Sequence, residues 1–80
     1  MENINRIRNL RVYSKVDAIE MAKLLTGKKT LEYNDYLSHR AGYPVYVDMF
    51  HMDYLTVSDL GTRLEVNYPN GYSQNIWYDN

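Results

Sequence analysis

Apolar and polar positions change their period twice along this chain. Leu10 and Val12 alternate with Asn9, Arg11 and Tyr13. That period of two predicts a short strand with Leu10 and Val12 facing inward. From residue 15 the spacing becomes helical: Ala18, Met21, Ala22 and Leu25 form a stripe, widened by Val16 and Ile19. Ser14 and Asp17 have the spacing of a capping box, in which the serine hydroxyl accepts an early helical N–H. Gly27 suits the left-handed position after the last turn, and Lys28 and Lys29 lie near the negative end. A helix over residues 15–26 follows. A helix through Ile4 and Ile7 competes with the strand for the segment before Leu10.

Residues 30–39 carry two patterns. Tyr33, Tyr36 and Leu37 are spaced as on a helix after a Thr30 cap, whereas Leu31 and Tyr33 alternate as on a strand. The helical reading is favoured, ending before Gly42 and Pro44. The remainder reads as β-structure: a run over residues 45–50, a second over 54–57, and a turn around Ser58-Asp59-Leu60-Gly61. Leu64, Val66 and Tyr68 then alternate strictly up to a Pro69-Asn70-Gly71 turn, and the chain returns through Tyr72 to Tyr78. A three-residue loop with Gly71 left-handed sets Tyr68 opposite Tyr72. Val66 then faces Gln74, Leu64 faces Ile76 and Thr62 faces Tyr78, all on the face turned to the helix. Asn67 with Ser73, Glu65 with Asn75 and Arg63 with Trp77 occupy the other face. The expected fold is α+β, a three- to four-stranded, mainly antiparallel sheet packed against one or two helices.

Composition sharpens this picture. Nine of the 80 residues are tyrosine, with one Trp, one Phe and no Cys. Tyrosine buries a ring while keeping a hydroxyl for water or a partner, so such a sheet can be core on one side and binding surface on the other. Eighty residues make one domain, spanning 1–80, with a small core that homodimerisation could supplement. With 45% hydrophobic and 24% charged residues the chain is of the folding type. No run approaches the roughly 20 apolar residues of a membrane span. The start lacks the apolar region of a secretory signal, and the absence of cysteine removes disulfides and thiolate zinc sites. A cytoplasmic protein without membrane attachment is the expectation.

The net charge of −1 hides an asymmetry. Residues 1–47 hold eight basic and five acidic side chains (8 − 5 = +3), and residues 48–80 hold Arg63 against five acidic ones (1 − 5 = −4). Such a division either orients a partner or neutralises a helix against its own sheet. For catalysis the chain offers little. Asp48, His51 and Asp53 are metal-competent residue types, but on a regular strand Asp48 and His51 diverge. His39 sits where a helix C-terminus would favour its positive charge. No phosphate loop, zinc-protease, calcium-loop or nucleophile-elbow motif occurs, and no cofactor is implied.

Two binding readings remain. Tyr, Trp and Arg dominate the energetic centres of protein interfaces, which nominates Trp77 and Arg63, with Tyr13, Tyr43 and Tyr46, as contacts for another protein. The expectation is a non-catalytic protein-binding or regulatory module, a small inhibitor or adaptor. The alternative is a nucleic-acid-binding accessory protein in which Arg6, Arg8, Arg11, Lys15, Lys28 and Lys29 meet phosphates while Tyr13 stacks on a base. The last strand, carrying Trp77, is also a candidate free edge for strand addition.

Overall fold

A computed structural model of the chain describes residues 7–48 and 54–79. Eight elements follow in order: β1 (Asn9–Val12), α1 (Lys15–Thr26), β2 (Glu32–Tyr33), α2 (Asp35–Ala41), β3 (Val45–Val47), β4 (Thr56–Asp59), β5 (Arg63–Asn67) and β6 (Ser73–Tyr78). The strands form one mixed sheet in the order β1-β6-β5-β4-β3-β2. All neighbours are antiparallel except β1 and β6, which run parallel. Among the described residues no helix is long and apolar enough to cross a membrane.

The α+β class and both helices agree with the sequence reading, but the sheet has six strands where three to four were expected, and one of its pairings is parallel. Two additions account for this. β2 is two residues long, too short for an alternation to declare itself, and it extends the sheet only by pairing with β3. β1 lies alongside β6, joining the first strand to the last, and no local pattern specifies which strand a distant segment selects. β6 therefore has a neighbour on each side and is not the free edge the sequence suggested. The run expected from Tyr54 to Val57 is also shifted: β4 begins at Thr56 and continues through Asp59.

Helix α1 forms as its caps dictate. The Asp17 N–H donates to Ser14 Oγ at 3.2 Å, and Gly27 closes the helix at φ 73°. Its inner face is built on Ala18, Ala22 and Leu25. Two alanines let the helix axis approach the sheet closely, where Leu64, Val66, Val57 and Ile76 project from the strands to complete the core with Leu55 and Tyr78. Val16, expected on this stripe, is exposed instead. At 100° per residue it lies 160° from Ala18, on the solvent side.

The β5–β6 hairpin has the predicted register at every paired position. The Tyr68 N–H donates to Tyr72 O at 2.9 Å, and the Gly71 N–H donates to Tyr68 O at 3.0 Å. Gly71 takes φ 91°, a conformation that only glycine adopts without strain. Gln74 falls on the core face and is completely buried. Its amide is satisfied at both ends, accepting from the Tyr68 hydroxyl and donating to Ile7 O at 2.9 Å. A buried amide with both partners costs little, whereas one left unpaired costs a few kcal/mol.

Residues 30–42 resolve as both patterns in series. Tyr33 belongs to β2, and α2 follows with Asn34 as its cap, accepting from the Leu37 N–H at 2.8 Å. Thr30, the cap expected from sequence, lies outside the helix. Buried Ser38 ties α2 to β3: its Oγ accepts from the Val45 N–H at 2.7 Å and donates to Val45 O at 3.3 Å. Ser38→Ala leaves a buried N–H without a partner, and we expect a loss of about 1–3 kcal/mol in urea unfolding monitored by circular dichroism. An unchanged midpoint would show that water replaces the hydroxyl.

Candidate functional site

Alternation along β5 and β6 divides the sheet into two unlike faces. Leu64, Val66, Gln74 and Ile76 are sealed beneath α1, while Arg63, Glu65, Asn67, Ser73, Asn75 and Trp77 each retain solvent access on the opposite side. The parallel pairing of β1 extends this open face. Arg63 pairs with Trp77, and Trp77 pairs with Arg11, so a tryptophan is flanked by an arginine on each neighbouring strand. The next row is Glu65, Asn75 and Asn9.

These side chains brace one another. The Arg63 guanidinium lies over the Trp77 ring at 5.0 Å from its centroid and donates through Nε to Asn75 Oδ1 at 3.1 Å. Asn9 Oδ1 accepts from both Trp77 Nε1, at 3.2 Å, and Asn75 Nδ2, at 3.3 Å. Asn67 Nδ2 donates to Glu65 Oε1 at 3.2 Å. Arg11 turns to Asp79 at 3.1 Å. The result is a flat surface in which two arginines are balanced by Glu65 and Asp79. Its one large aromatic has its ring stacked and its N–H satisfied. Such a surface offers area and directional polar groups that lose little rotamer freedom on binding.

The remaining candidates are dispersed. Tyr13 is 87% exposed at the end of β1. It borders a surface hollow of about 560 Å³ with Arg11, Val12, Asp17 and Asp79, beside the Arg11 end of the open face. Tyr46 is on the α1 side, because it pairs with Val57 across β3 and β4, and its ring meets Tyr33 edge-on at 6.1 Å. Tyr43 follows α2 and lines a second hollow with Tyr33, Asp35, Ser38, His39 and Pro44. Trp77 and Arg63 thus lie together on the open face, Tyr13 borders a hollow at the end of β1 with Arg11, and Tyr46 lies on the α1 side. His39 occupies the last turn of α2, as the helix-end reading expects. Asp48 is buried beside Lys28 Nζ at 3.7 Å; His51 and Asp53 lie outside the described residues.

The basic candidates are similarly spread. Arg6 lies outside the described residues. Arg8 stacks over the Tyr72 ring at 5.4 Å, and Lys29 borders a hollow at the C-terminal end of α1. Arg11, Lys15 and Lys28 each reach a carboxylate of the acidic half: Asp79, Asp59 and Asp48. The charge asymmetry of the sequence is consumed at least partly within the fold.

Asp59, which the sequence reading treated as a turn residue, anchors a cluster of groups with perturbed titration. Only 5% of it is exposed. Oδ2 meets Lys15 Nζ at 2.7 Å, and Oδ1 accepts from the Tyr78 hydroxyl at 2.5 Å and the Gly61 N–H at 3.0 Å. Burial alone would push this carboxyl upward, but Lys15, Tyr78 and Gly61 together hold it below its ordinary value. The hydrogen bond to Asp59 holds Lys15 above its usual range against the opposing effect of burial. Burial, reinforced by Asp59, pushes Tyr78 up to about 12. All three groups are locked in their ordinary charge states near neutrality, an arrangement that fastens the start of α1 to β4 and β6 and is ill suited to moving protons. The one available signal was the parity that places Asp59 on the same face as Val57.

Comparison of the chain with protein-family models, with curated proteins and with solved structures finds no match.

The signs of these shifts predict a pH profile. Asp59 contributes stability that is present above its unfolded value near 4 and lost as pH falls through its lowered folded value. Lys15 and Tyr78 contribute stability that is present below their unfolded values near 10 and lost as pH rises through the raised folded ones. Asp59→Asn should therefore cost about 1–3 kcal/mol at pH 7 and flatten the acid limb of a plot of Tm against pH. Parallel wild-type and variant profiles below pH 4 would remove Asp59 from the acid transition.

Proposed function

We propose that this chain is a non-catalytic protein-binding module, of the regulatory or adaptor type, that docks through the open face of its sheet around Trp77 and Arg63. The observation that carries this reading is the row Arg63–Trp77–Arg11, in which the indole is stacked and its N–H satisfied while remaining accessible. Trp and Arg are the residue types that contribute most when an interface is truncated. A surface whose charges are already balanced suits a protein partner with a polar rim and an apolar or aromatic centre better than a polyanion. Tyr13 lies beside the Arg11 end of this face, and Tyr43 and Tyr46 are left out of the docking surface.

The nucleic-acid reading is served less well by the geometry. Phosphate binding needs cations free to exchange counterions, yet Lys15 and Arg11 lie 2.7 and 3.1 Å from carboxylates and Lys28 lies 3.7 Å from another. The Lys15–Asp59–Tyr78 cluster is accounted for by its role in fastening α1 to the sheet, which supports the non-catalytic reading.

Affinity capture from a lysate of the source organism, with nuclease treatment, tests the proposal when wild type is run beside Trp77→Ala and Arg63→Ala. A stoichiometric protein retained after nuclease should be lost from both variants, each truncation weakening capture by about 1–3 kcal/mol, or roughly five- to 150-fold. The variants should melt within a few degrees of wild type. Undiminished capture by both variants would place the docking surface elsewhere. A collapsed melt for Trp77→Ala would make the indole a structural residue.

A further inference from the structure

We infer that the hollow formed by the end of β2, α2 and Pro44 binds an arginine side chain of a partner protein, held against the Tyr33 and Tyr43 rings and the Asp35 carboxylate. The hollow measures about 350 Å³ and is lined by a single stretch of chain. Tyr33 leads into it, Tyr43 and Pro44 lead out, and α2 supplies the wall between. Asp35, Ser38, His39 and Gly42 recur at helical spacings of three and four, so they share one face. That the arginine belongs to a partner protein rests on the protein-binding reading; the site itself uses no residue of the Trp77 surface.

The walls of this hollow are fixed by contacts within the fold. Ser38 fastens α2 to β3 through both backbone polar groups of Val45. The Tyr33 ring is braced edge-on by Tyr46 at 6.1 Å. Gly42, left-handed at φ 84°, ends α2 and passes the chain to Tyr43 and Pro44. Tyr33 and Tyr43 nonetheless remain 54% and 40% exposed. Aromatic rings held in place this way lose little rotamer freedom when a ligand arrives.

Charge selects the occupant. Asp35 is exposed, and among the described residues it has no ion-pair partner. The nearby Arg40 is engaged elsewhere: its guanidinium lies over the Tyr36 ring at 5.7 Å and donates to Tyr36 Oη at 3.2 Å. The hollow beside Tyr13 differs, because there Arg11 already meets Asp79. A carboxylate beside two exposed aromatic rings complements a cation. Arginine suits it better than lysine, since a planar guanidinium can stack on a ring while its N–H groups meet a carboxylate. This chain uses the same chemistry internally, with guanidiniums over Tyr72, Tyr36 and Trp77. Neutral His39 adds an acceptor for a further N–H.

An NMR titration of the isotope-labelled protein with N-acetyl-arginine amide, at about pH 8 and so above the ordinary histidine range, tests the inference. Exposed contacts of this kind are individually weak, so dissociation should be on the order of 10 mM. Saturable shifts should centre on the amides of Tyr33, Asp35, His39, Gly42 and Tyr43. N-acetyl-citrulline amide keeps the shape without the charge and should bind at least about threefold more weakly. The arginine probe should lose as much on Asp35→Asn. Shifts that are absent, or scattered over other exposed carboxylates, overturn the inference. So does equal binding of the citrulline probe, or of the arginine probe to a folded Asp35→Asn. If Asp35→Asn loosens α2, the citrulline comparison on wild type decides alone. The titration needs no partner protein, so its failure and a failure of capture through Trp77 are read separately.

Discussion

The parallel pairing of β1 with β6 is the contact on which the rest of this architecture depends. The C-terminal hairpin supplies Leu64, Val66, Ile76 and Tyr78 to the apolar core, but its Trp77-bearing strand becomes an interior strand only when β1 lies beside it. The same pairing sets where α1 begins, since the helix starts three residues after β1 ends. It also brings Asn9 to the indole N–H and Arg11 into the row with Trp77. Strand pairing, helix placement and the make-up of the open face are therefore coupled through one ladder. Parallel ladders are slightly weaker per residue than antiparallel ones, so the closure relies on the packing of Leu10 and Val12 against the core.

Electrostatics reinforce the same closure. Among the described residues, ion pairs join the basic N-terminal half to the acidic C-terminal half at Arg11–Asp79, Lys15–Asp59 and Lys28–Asp48. They differ in physical weight. Arg11 and Asp79 are both well exposed, and such a pair is worth little in water. Lys15 meets a buried carboxylate that also accepts from Tyr78 and Gly61, and the desolvation already incurred by Asp59 makes each partner more consequential. An unequal charge distribution that resembles a polyanion-binding signal in the sequence is thereby partly spent within the fold. That redistribution leaves the Trp77 surface nearly balanced and favours short-range contact over long-range attraction.

The hairpin was legible because its information is local: Pro69-Asn70-Gly71 defines the loop, the loop defines the register, and strict alternation defines the faces. Arg63 beside Trp77 followed from those facts alone. Helix α1 was equally clear from Ser14, Gly27 and the stripe between them. The reading lost ground where a short element depends on a distant neighbour. β2 exists because β3 is available to pair with it, and Ser38 matters because Val45 arrives within reach. Asp59 illustrates the same limit, since a turn aspartate and a buried anchor have the same local sequence.

By itself, then, the sequence determined the elements whose geometry closes within a dozen residues: a capped helix, a tight hairpin, and the alternation that assigns each side chain to a face. Tertiary structure decided which strand neighbours which, which charges meet, and which tyrosines share a surface. The physical reason is the reach of the interactions. Caps and turns are satisfied by groups a few positions away, whereas the β1–β6 ladder and the Lys15–Asp59 pair acquire their energy only after distant segments have been brought together.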